Sequence, residues 1–226
     1  RDGQGSALLT ACLHGPRGTG KTALAADVAL RSRFPFVKLL GPDSLVGLSE
    51  QGKCQRLIKV FDDACKSPLS VVILDDVERL IEFIFMGPRF SNAILQDVLT
   101  CLARPPPAGR RLLVLATTSN RQVLELLGGA QAFTEEHRME PLSLNEAHSV
   151  VQQAGDQAGL DYSQAAHALL ARGEGLTVPV KRLLLLLRLA RQELPEGETS
   201  VPRVVFDQLI QNSKLLPEGE DADERY

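Results

Sequence analysis

The chain has 226 residues, which is enough for one large domain or for a core with a small satellite. A net charge of −3 and an aromatic content of 4% with no Trp argue against binding nucleic acid through a basic surface or a base-stacking platform. The richest apolar run, at 183–187, is too short to cross a bilayer, and nothing resembles a signal peptide. We therefore expect a soluble, cytoplasmic protein without direct membrane insertion.

Apolar runs alternate with amphipathic segments along the first two thirds of the chain. The apolar runs predict buried strands at 7–13, 36–40, 70–74 and 111–116, and a short last strand at 139–142. The amphipathic segments predict helices at 22–31, 50–66 and 92–104. This alternation predicts an α/β fold with a doubly wound parallel sheet.

The pattern changes near residue 143, and strand signals cease from about Asn145 onward. Helices are predicted at 146–154, 163–172, 180–193 and 201–212. We therefore divide the chain into an α/β subdomain at 1–142, a small C-terminal helical lid at 143–214 and an acidic, disordered tail at 215–226. Because the first predicted strand begins a few residues after Arg1, we expect the chain to be a fragment of a longer protein.

The cysteines are scattered along the chain, without CxxC spacing or a histidine at metal-ligand intervals. They are Cys12, Cys54, Cys65 and Cys101. This pattern indicates buried, reduced thiols.

Between the first predicted strand and helix lies the pattern G-x-x-x-x-G-K-[ST], formed by Gly15, Gly20, Lys21 and Thr22. Glycines let backbone N–H groups and the helix N-terminus face phosphate oxygens, the lysine reaches the β and γ phosphates, and the threonine hydroxyl binds Mg²⁺. The motif predicts a P-loop that binds ATP and Mg²⁺, which makes 1–142 a nucleotide-binding subdomain. The predicted nucleotide-binding residues of this segment are Gly15, Gly18, Thr19, Gly20, Lys21, Thr22 and Ala23.

Two aspartates follow the buried strand 70–74. Asp75 is predicted to hold Mg²⁺ together with Thr22, and Asp76 stands where such ATPases usually carry a glutamate that activates the attacking water. Aspartate is one methylene shorter, and a misplacement of about 1 Å can cost roughly 10²-fold in rate. We therefore expect unimpaired ATP binding and slow hydrolysis. The alternative is that both acids only cap the strand.

Weaker patterns give two further catalytic candidates. Ser119, after the strand 111–116, is predicted to sense the γ-phosphate or to orient water, with Thr118 as the alternative. Lys181 opens a predicted helix with Arg182 and is predicted to reach the γ-phosphate from the lid side. The alternative for these two cations is that they are simply solvated.

A P-loop, an acidic second motif, a sensor strand and a helical lid in this order resemble an AAA+ ATPase. More specifically, the chain resembles the second ATPase domain of the vesicle-fusing ATPases. The likeness is ungapped from 15 to 119 and thins beyond about 132. The segments that carry it, besides the two aspartates, are 20–26, 34–36, 53–55, 61–64 and 87–92.

This resemblance implies a division of labour. In the family, the first ATPase domain works on SNARE complexes with SNAP adaptors, whereas the second binds ATP tightly, hydrolyses it poorly and holds a homohexamer together. The lid lysine of the second domain matches Lys181, and a basic residue that contacts a neighbour's nucleotide matches Arg111, beside Arg110. Leu45 stands where motor domains usually carry an aromatic pore residue. SNAREs and SNAPs would be reached only through domains missing here, and association with membranes only through partners.

Some features depart from the family pattern. Residues 17–19 read Arg-Gly-Thr in place of Pro-His-Ser, and no arginine-finger stretch is recognisable at 134–138, although Arg138 lies there. We expect an ATP–Mg²⁺ module that mainly stabilises a hexameric ring in a vesicle-fusing ATPase and supports SNARE disassembly. An active remodelling motor is the first alternative. A DNA replication loader is the second, but the sequence shows neither a basic stripe nor an added winged helix.

Overall fold

The computed structural model describes residues 6–84, 89–128, 131–170, 177–195 and 198–213. The chain divides into two compact units, one comprising 1–15 and 21–139 and the other 16–20 and 140–226. The predicted acidic tail at 215–226 and residues 87 and 88 of the 87–92 segment lie outside the described residues.

The first unit contains a five-stranded parallel sheet with the order β2-β3-β4-β1-β5. Its strands are β1 (Leu8–His14), β2 (Phe36–Leu40), β3 (Leu69–Leu74), β4 (Arg111–Thr118) and β5 (Glu135–Arg138). The inner strands are nearly continuous apolar runs because helices cover both faces of the sheet. The predicted α/β fold with a parallel sheet is therefore confirmed.

Side chains of β3 alternate between two helical layers. Val71 and Ile73 pack with Ala25 and Ala29 of helix α1, whereas Val72 and Leu74 belong to the larger core on the opposite face. The helices of this unit are α1 (Lys21–Ser32), α2 (Glu50–Ala64), α3 (Val77–Leu80), α4 (Asn92–Ala103) and α5 (Arg121–Leu126), with a 3-10 turn at Pro42–Leu45. The sheet is thus fixed from both sides, which holds its strand ends in place.

The second unit is mainly helical. Its elements are β6 (Leu142–Ser143), α6 (Leu144–Ala158), α7 (Ser163–Leu170), β7 (Thr177–Val178), α8 (Val180–Gln192) and α9 (Arg203–Ser213). Helix α6 begins with a capping box between Ser143 and Glu146 and ends at Gly159, whose φ of +66° suits a left-handed cap. The core of the unit includes Leu183 and Phe206. Within the described ranges, no helix has both the length and the apolar character needed to cross a bilayer.

Two sequence expectations are wrong in this structure. The last strand of the sheet lies at Glu135–Arg138 rather than at 139–142, and all four of its residues are exposed. A charged edge strand carries no apolar pattern, so periodicity could not find it. A strand is also present beyond Asn145, because β7 pairs antiparallel with β6. In the 45–47 segment, Leu45 is buried in the core, whereas Val46 is 78% exposed.

The cysteines only partly match the prediction. Cys12 and Cys101 are buried, whereas Cys54 and Cys65 are intermediate in exposure, and all four thiols are free.

Candidate functional site

The carboxyl ends of three neighbouring strands carry the candidate catalytic residues of the first unit. In the parallel register, His14 at the end of β1 lies opposite Thr118, and Leu74 at the end of β3 lies opposite Ala116. The residues that follow these strand ends therefore meet at one edge of the sheet, which is where open α/β sheets bind ligands.

Asp75 is joined to the start of helix α1 at this edge. Its Oδ1 accepts a hydrogen bond of 2.8 Å from the Thr22 hydroxyl and one of 2.7 Å from the Thr117 hydroxyl. The structure therefore brings together the two predicted Mg²⁺ ligands, Thr22 and Asp75. Thr117 was not predicted, because a threonine inside an apolar strand gives no signal of its own.

The donor set at this point fits Mg²⁺. A carboxylate and a hydroxyl are hard oxygen ligands, and Mg²⁺ is usually held by one or two carboxylates with waters and substrate phosphates. Within the residues that the structure describes, no group of three or more His, Cys, Asp or Glu is arranged to hold a metal by itself. A cation here would therefore take its remaining ligands from phosphate oxygens and water.

Lys21 and Gly15 are linked across the predicted phosphate loop. The Lys21 side chain is buried, and its Nζ donates a 2.7 Å hydrogen bond to the Gly15 carbonyl. Gly15 has a φ of +140°, and a Cβ placed there would lie 2.1 Å from the Met139 carbonyl oxygen. Only glycine therefore fits at position 15. The hydrogen bond from Lys21 holds its ammonium group at this first residue of the motif.

The middle of the loop, 16–20, belongs to the second unit. Gly18 and Gly20 have φ of +83° and +92°, in the region that favours glycine. The Thr19 hydroxyl donates to the Pro16 carbonyl at 3.0 Å, and the backbone N–H of Lys181 donates to the Gly18 carbonyl at 3.0 Å. The first turn of α8 therefore contacts the loop backbone within this unit, and the Lys181 side chain itself is exposed.

Asp76 adopts an unusual backbone conformation. Its φ and ψ are 57° and 56°, in the left-handed region that Asp tolerates better than most residues. Its N–H donates to the Thr117 hydroxyl at 2.9 Å, and its Oδ2 lies 3.5 Å from Nη1 of Arg79. Thr117 therefore bonds to Asp75 and to Asp76 at once, and Asp76 has a nearby cation that the sequence did not point to.

A second acid, Glu78, accepts hydrogen bonds from the last residue of β4 and from the residue that follows it. The Thr118 hydroxyl donates to Oε2 of Glu78 at 2.7 Å, and the Ser119 N–H donates to Oε1 of Glu78 at 2.9 Å. Thr118 is 1% exposed, whereas Ser119 is intermediate in exposure. The Thr118 hydroxyl is therefore already hydrogen-bonded to Glu78. Of the two predicted sensor residues, Ser119 is the better placed candidate.

Glu78 was missed by sequence reasoning, although it follows Asp76 by two positions. It is 2% exposed on the short helix α3. Burial and then the neighbouring Asp76 carboxyl raise the pKa of Glu78, while hydrogen bonds from Thr118 and Ser119 oppose that rise. The D-D-x-E spacing was the available signal, but an acid in the first turn of a helix is more often a solvated residue.

Asn120, directly after Ser119, was missed as well. Its Oδ1 accepts a 2.8 Å hydrogen bond from the N–H of Gln122 and so caps α5, while its Nδ2 is buried without a hydrogen-bond partner among the described residues. The turn after β4 thus carries a buried side-chain amide nitrogen for which the described residues provide no hydrogen-bond acceptor.

One predicted residue, Arg111, lies away from this edge of the sheet. Arg111 is the first residue of β4, exposed, at the amino end of a strand whose eight residues span about 25 Å. The structure therefore does not bring Arg111 to the Asp75 edge, and the adjacent Arg110 donates to the Cys65 carbonyl. Ala23 is exposed on the first turn of α1.

Comparisons with known proteins agree with this arrangement. The family described as "ATPase family associated with various cellular activities (AAA)" matches residues 11–140. A vesicle-fusing ATPase of Arabidopsis thaliana is 44% identical over 187 residues, which cover 83% of this chain and 24% of that protein. A vesicle-fusing ATPase of Caenorhabditis elegans is 41% identical over 208 residues, or 89% of this chain and 25% of that protein.

The vesicular-fusion protein SEC18 of Saccharomyces cerevisiae is 41% identical over 162 residues, covering 70% of this chain and 21% of that protein. The chain thus spans about a quarter of the length of the curated relatives it matches. A P-loop between β1 and α1, an aspartate at the end of β3 that contacts it and a match over more than half of the chain lead to one conclusion: the chain belongs to the AAA family of ATPases.

Proposed function

We propose that this chain is the ATP–Mg²⁺-binding module of a vesicle-fusing ATPase, equivalent to the second ATPase domain, and that it stabilises a homohexameric ring while hydrolysing ATP slowly. The observation that carries the proposal is the pair of hydroxyl contacts on Asp75, from Thr22 and Thr117. They place a carboxylate beside the first turn of the helix that follows the P-loop. The family match and the vesicle-fusing relatives support the larger context.

Nucleotide binding follows from the chain's own groups. Backbone N–H groups of a glycine-rich loop and the N-terminus of α1 attract phosphate oxygens. Lys21 adds a positive charge at the end of the loop, and Thr22 and Asp75 would hold Mg²⁺. The bound cation would neutralise part of the phosphate charge, as it does in other phosphoryl-transfer enzymes.

Slow hydrolysis is supported by the position of Asp76. Its backbone is fixed by Thr117 and its carboxylate lies near Arg79, so a side chain one methylene shorter than glutamate has little freedom to reach further. A general base must come within hydrogen-bond reach of the water that it activates. We therefore propose that Asp76 orients water from too far away for fast turnover.

The ring-stabilising role is supported by Arg111 and by the relatives. Arg111 is exposed at the end of β4 that lies away from Asp75, and we propose that its guanidinium contacts the nucleotide of a neighbouring subunit rather than its own. We propose that Lys181 and Ser119 contact the γ-phosphate. SNAP adaptors and SNARE complexes would be engaged by parts of the longer protein outside this chain, which would be cytoplasmic and reach membranes through those partners.

Native mass spectrometry of the chain with and without Mg-ATP tests this proposal. We expect Mg-ATP to shift the population from monomer toward a hexamer, and Arg111→Ala to weaken that shift. Arg121→Ala is the matched control, because Arg121 is exposed and, among the described residues, pairs with Glu125 on its own helix. An unchanged oligomer in a longer chain that includes upstream sequence would contradict the proposal.

An active protein-remodelling motor is the second candidate, favoured by a complete P-loop and by a carboxylate at the position of the base. Steady-state turnover separates the two. Rates of about 1–10² s⁻¹ would support the motor, and a trace rate with tight binding supports the ring-stabilising module.

A further inference from the structure

Glu78 is a buried acid close to the candidate catalytic residues. It lies on a helix of four residues and is 2% exposed. Burying a carboxyl group without hydrogen bonds destabilises the folded state, and more so when the group is charged. A site that keeps an acid in such a place must hold it with specific partners.

Those partners are consecutive residues at the end of β4. The Thr118 hydroxyl and the Ser119 N–H each donate to one oxygen of Glu78, at 2.7 Å and 2.9 Å. Both oxygens are therefore occupied, and the two donors fix the direction of the carboxyl plane. The acid on α3 thus holds the turn that carries the candidate sensor Ser119.

Thr117, the residue before Thr118 on β4, makes two contacts with the residues that precede α3. The Thr117 hydroxyl donates to Oδ1 of Asp75 at 2.7 Å and accepts from the N–H of Asp76 at 2.9 Å. Three successive residues of β4 and its turn are thus bonded to the segment 75–78. Asp76 lies between the two anchoring points, so its position relative to Ser119 depends on both.

We propose that Glu78 is a positioning residue for ATP hydrolysis, which sets the separation between Asp76 and Ser119 by anchoring α3 to Thr118 and Ser119. This inference rests on the proposed function, since it concerns the same site. The direction of the Glu78 pKa is consistent with it, because burial and the adjacent Asp76 carboxyl both raise that pKa.

Length and charge at position 78 can be separated by two substitutions. Glu78→Gln keeps the length and one acceptor oxygen but loses the charge. Glu78→Asp keeps the charge but withdraws the carboxyl from Thr118 and Ser119 by one methylene. A positioning role requires length, so Glu78→Asp should be the more harmful of the two, whereas a role for the charge alone gives the reverse order.

Single-turnover hydrolysis and equilibrium binding of a fluorescent ATP analogue, both with Mg²⁺, test the inference. We expect Glu78→Asp to lower the rate constant of hydrolysis about 10- to 10²-fold, Glu78→Gln to lower it less, and both to leave the dissociation constant within about 2-fold. Glu125→Asp and Glu125→Gln are the matched controls, since Glu125 is 68% exposed on α5.

Thr118→Val provides a second route if either Glu78 variant fails to fold. It removes the hydroxyl donor while keeping the side-chain shape, and we expect it to lower the hydrolysis rate without changing affinity. Its effect should be less than additive with that of Glu78→Gln, because both remove the same contact.

The outcomes separate the two proposals. A wild-type chain that neither binds nor hydrolyses ATP overturns the proposed function, and the role of Glu78 with it. A wild-type chain that binds and hydrolyses ATP, with Glu78→Asp and Thr118→Val both at the wild-type rate, overturns the role of Glu78 alone. A parallel loss of affinity and rate in folded variants also overturns it, since that would show a purely structural role.

Discussion

The Thr22 hydroxyl donates a 2.8 Å hydrogen bond to Oδ1 of Asp75, across 53 positions of sequence. This bond joins the first turn of α1 to the residue that directly follows the buried strand β3. A hydroxyl and a carboxylate are oxygen ligands of the kind that Mg²⁺ takes, so the contact supports the proposed cation site.

Asp75→Asn should weaken the dependence of nucleotide binding on Mg²⁺, because a neutral amide oxygen is a poorer ligand than a carboxylate. We expect affinity for ATP in Mg²⁺ to fall about 10-fold and affinity in EDTA to change little. Isothermal titration in both conditions measures this. Asp27→Asn is the control, since Asp27 is an exposed helix residue paired with Arg31. Equal losses with and without Mg²⁺ would show that Asp75 has no part in holding the cation.

Asp76→Glu should raise hydrolysis, because the longer side chain restores the reach of the usual base. The gain can approach roughly 10²-fold if the misplacement is about 1 Å, while ATP affinity stays unchanged. Phosphate release at saturating ATP measures the rate. No change or a fall in rate would remove the short side chain as the cause of slow turnover.

The inner strands and the phosphate loop were predictable because their signals are local. Long apolar runs predicted the strands β1, β3 and β4. A glycine-rich pattern between a strand and a helix indicated Lys21 and Thr22 as residues of the phosphate loop. Charged β5 gave no such signal, because an exposed edge strand needs no apolar face.

The hydrogen-bond partners of the acidic residues at 75–78 could not be predicted from the sequence, for a different reason. Whether Glu78 is solvated or buried depends on residues 40 and 41 positions away, Thr118 and Ser119. The bridging role of Thr117 likewise exists only once β3 and β4 are paired in register. Local patterns identify which residues carry chemistry, and tertiary pairing decides how they are connected.

Gly15→Ala should destabilise the fold. A Cβ at Gly15 would lie 2.1 Å from the Met139 carbonyl oxygen, which is backbone and cannot turn away like a side-chain end. We expect a loss of roughly 1–3 kcal/mol in the free energy of unfolding, measured by urea denaturation. Gly109→Ala is the control, since Gly109 also has a positive φ, +78°, but has nothing within 4 Å of the added Cβ. Equal losses in the two variants would contradict the clash with Met139.

The thiol of Cys12 should resist alkylation in the native protein. Burial, with smaller contributions from Glu136 and Glu78, raises the pKa of Cys12 to about 12, so its thiolate fraction at pH 8 is about 10⁻⁴. Iodoacetamide with peptide mass analysis should label Cys65 first and Cys12 only after unfolding in urea. If Cys12 were modified at the same rate in native and unfolded protein, its buried position in β1 would be wrong.

Lys21→Ala tests the account most directly, because the proposed binding of a triphosphate by this loop depends on the ammonium group of Lys21. Titration with a fluorescent ATP analogue in Mg²⁺, on variants shown to be folded by thermal melting, should give a roughly 10- to 100-fold loss of affinity for Lys21→Ala, the value of a hydrogen bond to a charged group. Lys59→Ala, on the exposed side of α2, should bind like the wild type. Unchanged affinity in folded Lys21→Ala would contradict nucleotide binding by this loop.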